Sequence, residues 1–262
     1  MSLPLSRLAE IVQFLRGRYA SFDRFLPRDL TTYQGLRKAL MSLLSFYEGE
    51  GLPKAIERDI DALLSEETEE RGIFNPLSLP LSSLPKTAYW KGDIRRMATD
   101  GIVFSINPNL DGSLVPGDTS LEAQIQAAVG PSFKENLRAL RTTLKSQERR
   151  LGAAFVLPSR NLPSKKLIAV TVPQIEVRVT EHDEKALRQA YWSALSAAEK
   201  NHLKTLAFAS LATGGNRYPY REAARVAVDA VEVYHWRHDE SPIVVFVLPD
   251  DKQYDYYEEL LG

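Results

Sequence analysis

Along the first part of the chain, apolar residues recur three and four positions apart, the spacing of a single helix face. Leu8, Ile11, Val12, Phe14 and Leu15 form one such stripe, and Leu36, Leu40, Leu43, Leu44 and Tyr47 form a second. The stretches Leu26-Pro27-Arg28-Asp29-Leu30 and Gly49-Glu50-Gly51-Leu52-Pro53 interrupt the pattern as connections. A third helix is predicted from Pro53 to about Glu70, with Ile56, Ile60, Leu63 and Leu64 on its apolar side. Proline suits the start of that helix, where its missing N–H has no intrahelical partner. The acidic run Glu66, Glu67, Glu69 and Glu70 reads as a solvated helix end rather than a metal site. Residues 71–85, carrying Pro76, Pro80 and Pro85, are read as an extended crossing segment.

From Lys86 onward the period changes. Short apolar runs of buried-strand type occupy 101–106, 153–157, 167–172, 205–211 and 243–248. Amphipathic helical stretches intervene at about 120–129, 132–146, 184–201, 219–235 and 251–261. Strands alternating with helices predict a mixed, mostly parallel sheet covered on both faces, a three-layer α/β/α architecture. The expected organisation is an N-terminal helical extension, residues 1–85, packed on an α/β core of residues 86–262.

Composition narrows the chemistry. The chain has 262 residues, 44% hydrophobic and 26% charged, enough for a sizeable core. With 33 Lys+Arg against 34 Asp+Glu there is no overall field to draw in nucleic acid or an anionic membrane. No apolar run approaches the ~18 residues of a membrane span, and the N-terminus lacks the layout of a signal peptide. A cytoplasmic protein, monomeric by default, is therefore expected. The absence of cysteine excludes disulfides, thiol nucleophiles and thiolate-bound zinc.

One loop invites an anion. The strand ending near Ala212 runs into Thr213-Gly214-Gly215-Asn216-Arg217-Tyr218, and Pro219 opens the next helix. Two glycines let the main chain approach a ligand and aim successive N–H groups at it, next to the positive end of a helix. Thr213 and Asn216 add side-chain donors and Arg217 adds charge. The same residues also make an ordinary tight strand-to-helix turn, and from the glycines alone both readings stand. Neither a Gly-Lys-Ser/Thr phosphate loop nor a Gly-x-Gly-x-x-Gly fingerprint is present.

The order of several blocks is more specific. Trp90-Lys91-Gly92-Asp93-Ile94, then Gly101–Asn107, then the loop and helix ending Ile125-Gln-Ala-Ala-Val-Gly130, are followed by Asn161-Leu-Pro-Ser, Ala207–Gly214, Tyr218-Pro219 and Val244-Val-Phe-Val. Together they resemble the macrodomain family, which binds ADP-ribose. The leader, with Leu36–Met41, Leu52-Pro53 and the acidic helix beyond, is similar to that of the zinc-dependent bacterial and fungal members, which remove ADP-ribose from proteins. The resemblance implies that Asp93 accepts from the adenine amino group and that Ile94 is its backbone-donating neighbour. It also implies that Asn107 contacts the distal ribose, and that Thr213, Gly214, Gly215 and Asn216 hold the diphosphate. The residues themselves also allow plainer roles, Asp93 as the cap of a short turn and Asn107 as a turn residue.

The chain also departs from that pattern. The family's Cys/His/Cys zinc positions fall on Ser113, Asp118 and Ser120. Two neutral hydroxyls and one carboxylate are a poor donor set for Zn²⁺. Asp118 with Glu122 can instead be read as a water-mediated hard-ion site, or Ser120 simply as a helix cap. Phe104 stands where the family has its first asparagine, the glycine-rich run is reduced to Gly112 and Gly117, and Arg217 replaces a glycine. The resulting expectation is an ADP-ribose or ADP-ribosyl-protein binding module with no cofactor. The alternatives are a metal-independent or hard-metal hydrolase, with Asn107 orienting the ribose and Asp118 or Glu122 activating water, and a degenerate scaffold for another nucleotide or RNA.

Overall fold

The computed structural model describes residues 3–262. Three helices lead the chain, α1 (Leu5–Arg18), α2 (Tyr33–Ser45) and α3 (Lys54–Arg71). Thr32 caps α2 by accepting from the Gly35 N–H, and Pro53 precedes α3. Their apolar faces close on one another in a cluster that includes Leu8, Ile11, Leu15, Leu40, Leu43, Ile60 and Leu64. Phe14, expected on that face, is instead 40% exposed.

Six strands follow, β1 (Thr87–Lys91), β2 (Gly101–Ile106), β3 (Ala154–Pro158), β4 (Lys166–Thr171), β5 (Thr205–Ala209) and β6 (Ile243–Leu248). Their order is β1-β6-β5-β2-β4-β3. All neighbours are parallel except β3, which pairs antiparallel with β4. β1 is absent from the expected strands because only Thr87 and Ala88 are buried, and its partner lies more than 150 residues away at Val244–Leu248. Helices α4 (Leu121–Val129) and α5 (Pro131–Thr143) cover one face of the sheet. Helices α6 (Glu181–Lys200), α7 (Tyr220–Arg237) and α8 (Asp251–Leu261) cover the other. The mostly parallel α/β/α sandwich is thus as expected.

The leader helices meet this sandwich through α3. Leu64 lies over Gly130, between α4 and α5, and the Asn161 amide donates to Asp61 Oδ1 at 2.9 Å and to the Val129 carbonyl at 3.1 Å. Among the described residues no helix is long and apolar enough to cross a membrane. The carboxyl ends of β2, β5 and β6, with the turn after β1, open on one edge of the sandwich, where parallel sheets place their ligand clefts.

Candidate functional site

A cleft of about 610 Å³ lies at that edge. The turn after β1 supplies Asp93, Ile94 and Arg95, the start of α4 supplies Thr119, Ser120 and Gln124, and the loop after β5 supplies Ser210, Thr213 and Gly214. Tyr220 from α7 and Gln253 from α8 complete the wall. Of the residues expected to hold a ligand, Asp93, Ile94, Thr213 and Gly214 line this cleft, whereas Asn107, Gly112, Gly215, Asn216 and Arg217 are not among its lining residues. Arg95, Gln124, Tyr220 and Gln253 line it as well, and their only signal in the sequence is a position within a turn of a loop.

Asp93 plays its plainer role as well as facing the cleft. Its carboxylate accepts from the Arg95 N–H at 2.9 Å, capping a short turn, and from the Arg95 guanidinium at 2.7 Å. Arg71 of α3 approaches to 3.9 Å. Burial pushes the Asp93 carboxyl up, but the Arg95 hydrogen bonds and the neighbouring arginine charges outweigh it and hold the group below its ordinary value. Asp93 is therefore an anion with acceptor capacity shared between protein and cleft.

The β5–α7 loop is shaped by residues other than its glycines. Ala212 and Arg217 carry φ of 64° and 61°, the left-handed region that side chains disfavour. The Tyr218 N–H closes the loop onto the Ala212 carbonyl at 3.0 Å, and the Arg217 N–H onto that of Gly214 at 2.9 Å. Ser105 at the end of β2 accepts from the Ala212 N–H at 3.2 Å. Gly214 and Gly215 do not adopt positive φ, and a Cβ on either would meet nothing within 4 Å. The fold does not need glycine there; the open space in front of them does. Among the described residues no protein group accepts from the N–H groups of residues 213–216. Strained flanks holding free N–H donors over a cleft form an anion cradle. Arg217 is exposed, and its positive φ lies in the region that glycine adopts without strain.

The loop from β2 to α4 forms the third wall and holds the remaining candidates. The Asn107 amide donates to the Gly112 carbonyl and to Glu122 Oε1, each at 3.4 Å, and its own oxygen accepts from the Asp111 N–H at 3.4 Å. These long bonds are weak and readily exchanged for ligand hydroxyls. Gly112 has φ of 70° and lies against the Gln126 amide and Lys134, so a Cβ would collide there. Lys134, 4% exposed, clamps the same stretch by donating to the Asp111 carbonyl at 2.6 Å and that of Ser113 at 3.1 Å. Gln126 adds a two-way bond to the Ser113 backbone.

Loss of water raises the half-buried Glu122 carboxyl to about 7, against the lowering effect of nearby Lys134; Asp118 and Asp111 push it further up. Burial lowers Lys134 to about 8 despite Glu122 and Asp111. Asp118 behaves differently. Burial pushes it up, yet hydrogen bonds from Ser113 and Ser120 win and hold it below its ordinary value.

Ser113, Asp118 and Ser120, the positions that the resemblance implies for zinc ligands, lie together in space. Ser113 Oγ and Ser120 Oγ both donate to Asp118 Oδ2, at 2.6 and 2.8 Å, and the Ser120 N–H donates to Oδ1 at 2.8 Å. Both carboxylate oxygens are thereby engaged by protons, and Ser120 also caps α4 through the Ala123 N–H. Among the described residues no three His, Cys, Asp or Glu side chains form a metal-binding group. This donor set does not fit Zn²⁺, and its protons occupy the directions that a hard ion would need. Tyr257 packs on Phe246 and Tyr254 on Tyr89, and His235 approaches the Pro85 carbonyl at the end of α7.

A family model described as Macro domain matches residues 106–227, the span from the end of β2 to the first half of α7. A Treponema medium protein named protein-ADP-ribose hydrolase is 27% identical over 85% of this chain and 86% of its own. An Enterobacter protein named O-acetyl-ADP-ribose deacetylase is 32% identical over 65% of this chain and 90% of its own. The crystal structure of a Trypanosoma brucei macrodomain with ADP-ribose superposes with a TM-score of 0.65 at 19% identity, covering 84% of this chain and 95% of that one.

Proposed function

This chain belongs to the macrodomain family, and from that premise we propose that its cleft binds the ADP-ribosyl group carried by modified proteins. The observation that carries the reading is the loop after β5, where unclaimed N–H groups and two glycines with open space before them face a cleft walled by Asp93. In this reading the adenine lies by Asp93 and Ile94, with Arg95 and Tyr220 within reach of its faces. The diphosphate lies on Thr213, Gly214, Gly215 and Asn216, with Arg217 at the rim, and the distal ribose lies by Asn107 and Gly112. Relatives named for acting on protein-ADP-ribose and O-acetyl-ADP-ribose support this ligand class. The mono-ADP-ribosylated protein is the inferred partner, met in the cytoplasm by a monomer.

A second reading, metal-independent hydrolysis, is favoured by Glu122 beside Asn107. A carboxyl near 7 is half ionised at neutral pH, strong enough as a base to take a proton from water and able to return it. Water would attack the ribose anomeric carbon, the bond to the protein side chain would break, and Glu122 would pass its proton to the leaving group. Asp118, already saturated by hydroxyl donors, is the poorer base.

Calorimetry with ADP-ribose tests the binding reading; no heat and no thermal shift at millimolar ligand would overturn it. Turnover of a mono-ADP-ribosylated protein, measured with and without chelator, tests the second. The rate is expected to be indifferent to chelator, to rise with pH around 7, and to fall about 10²-fold or more in Glu122→Gln. Full activity in that variant would remove Glu122 from the chemistry.

A further inference from the structure

A second pocket, of about 560 Å³, lies on the far side of the β2–α4 loop, at its seam with the leader helices. Phe22 and Phe46 of the leader form one wall, Leu114 of the loop another, and Arg138 and Arg141 of α5 the floor. Phe22 and Phe46 stack at 3.9 Å, and Phe25, 42% exposed, leans on both. Leu114 and Val115 stand 57% and 64% exposed at the tip of the loop. Single exposed apolar residues are ordinary, but a group gathered around one concavity marks an interaction surface.

The basic groups in this groove are already answered, and the exposed Glu48 leaves one carboxylate at its edge. Arg138 pairs with Glu50, Arg141 reaches Asp111 at 2.5 Å, and Lys134 is spent on the carbonyls of Asp111 and Ser113. The surface left to satisfy is aromatic and aliphatic beside the Glu48 carboxylate, which suits an apolar peptide side chain and not a phosphate or a nucleic acid. Its position is equally informative. Asp111 lines this groove and is followed by Gly112, whose carbonyl accepts from Asn107. The same loop therefore walls the ADP-ribosyl cleft with its end and the groove with its beginning. The groove starts at the place assigned above to the distal ribose, the end of the ligand joined to protein.

We propose that this groove receives the polypeptide of the ADP-ribosylated partner, seating an apolar side chain near the modified residue between Phe22, Phe46 and Leu114. The inference rests on the ADP-ribosyl reading and adds to it a preference for what surrounds the modification. The leader helices then take part in substrate choice as well as in packing.

The test uses the full chain and two short mono-ADP-ribosylated peptides, one with leucine and phenylalanine flanking the modified residue, the other with glycine and serine. Burying one large apolar side chain corresponds to about a tenfold preference for the apolar peptide. The double variant Phe25→Ser/Leu114→Ser changes exposed positions, so the fold is expected to persist, as circular dichroism would verify. It should lose the preference while free ADP-ribose binds as before. Equal affinity of the wild type for the two peptides would overturn the proposal, as would a variant that weakens free ADP-ribose and peptide alike. Failure of the wild type to bind free ADP-ribose would be a separate result, removing the underlying reading and this inference together.

Discussion

Glu122 and Lys134 hold their ionisable groups away from water under the same loop, and each is shifted toward its neutral form. For Glu122 the sign of the consequence is definite. Its carboxyl sits near 4.5 in an unfolded chain and about 7 in the folded protein. Between those values the folded state keeps a proton that the unfolded state has released, so this group's contribution to stability falls as pH rises from 4.5 to 7. Lys134 adds the mirror case at higher pH, a penalty relieved only as pH climbs from about 8 toward 10.5. Glu122→Gln is thus expected to match the wild type in Tm near pH 4 and exceed it near pH 7, with Asp111, Asp118 and Lys134 common to both proteins. Gly112 gives a second test, because positive φ and contact with the Gln126 amide both oppose a side chain. Gly112→Ala is expected to cost about 1–3 kcal/mol in a denaturant titration. Of these details the sequence revealed the residue types at Asn107, Gly112 and Glu122. It gave no sign of Lys134, which reads as an ordinary charged position of α5 until the fold buries it.

At the scale of elements, the β5–α7 loop separates what glycine does for folding from what it does for binding. Ala212 and Arg217, not the glycines, bear the strained backbone. Gly214→Val is therefore expected to leave Tm within about 2 °C, since nothing lies within 4 Å of the added Cβ. The same change should weaken ADP-ribose binding by about tenfold or more, because the side chain occupies the space before the N–H groups. Unchanged affinity by calorimetry would place the ligand elsewhere. The long apolar runs of β2, β4, β5 and β6 were legible because strands buried on both faces must be apolar throughout. β1 was not, because an edge strand with a short buried stretch leaves little pattern and takes its register from β6.

Over the whole molecule, the leader helices and the sandwich share packing at α3. Leu64, 1% exposed, belongs to the leader cluster yet covers Gly130 between α4 and α5. Leu64→Ala is expected to cost ~2–5 kcal/mol, lowering Tm in a single transition common to near- and far-ultraviolet circular dichroism. Two separate transitions would mean that the leader folds apart from the core. Arg71 reaching Asp93 places a leader residue beside the cleft, and the Phe22–Phe46 pair with Leu114 places two more at the second groove.

The chain by itself determined the alternation of strands and helices, the helical leader and the loss of thiolate and imidazole from the β2–α4 loop, because these depend on residue type and local period. Resemblance in the order of its motifs pointed to the family. Tertiary structure decided what those residues became. It drew Ser113, Asp118 and Ser120 together as a hydrogen-bonded cluster whose protons occupy the space of a metal. It set Glu122 apart from Asp118 by burying one beside a lysine and supplying the other with donors. Burial and the direction of a hydrogen bond arise from contacts between distant segments, so two carboxylates four residues apart acquire opposite character only once the chain has closed around them.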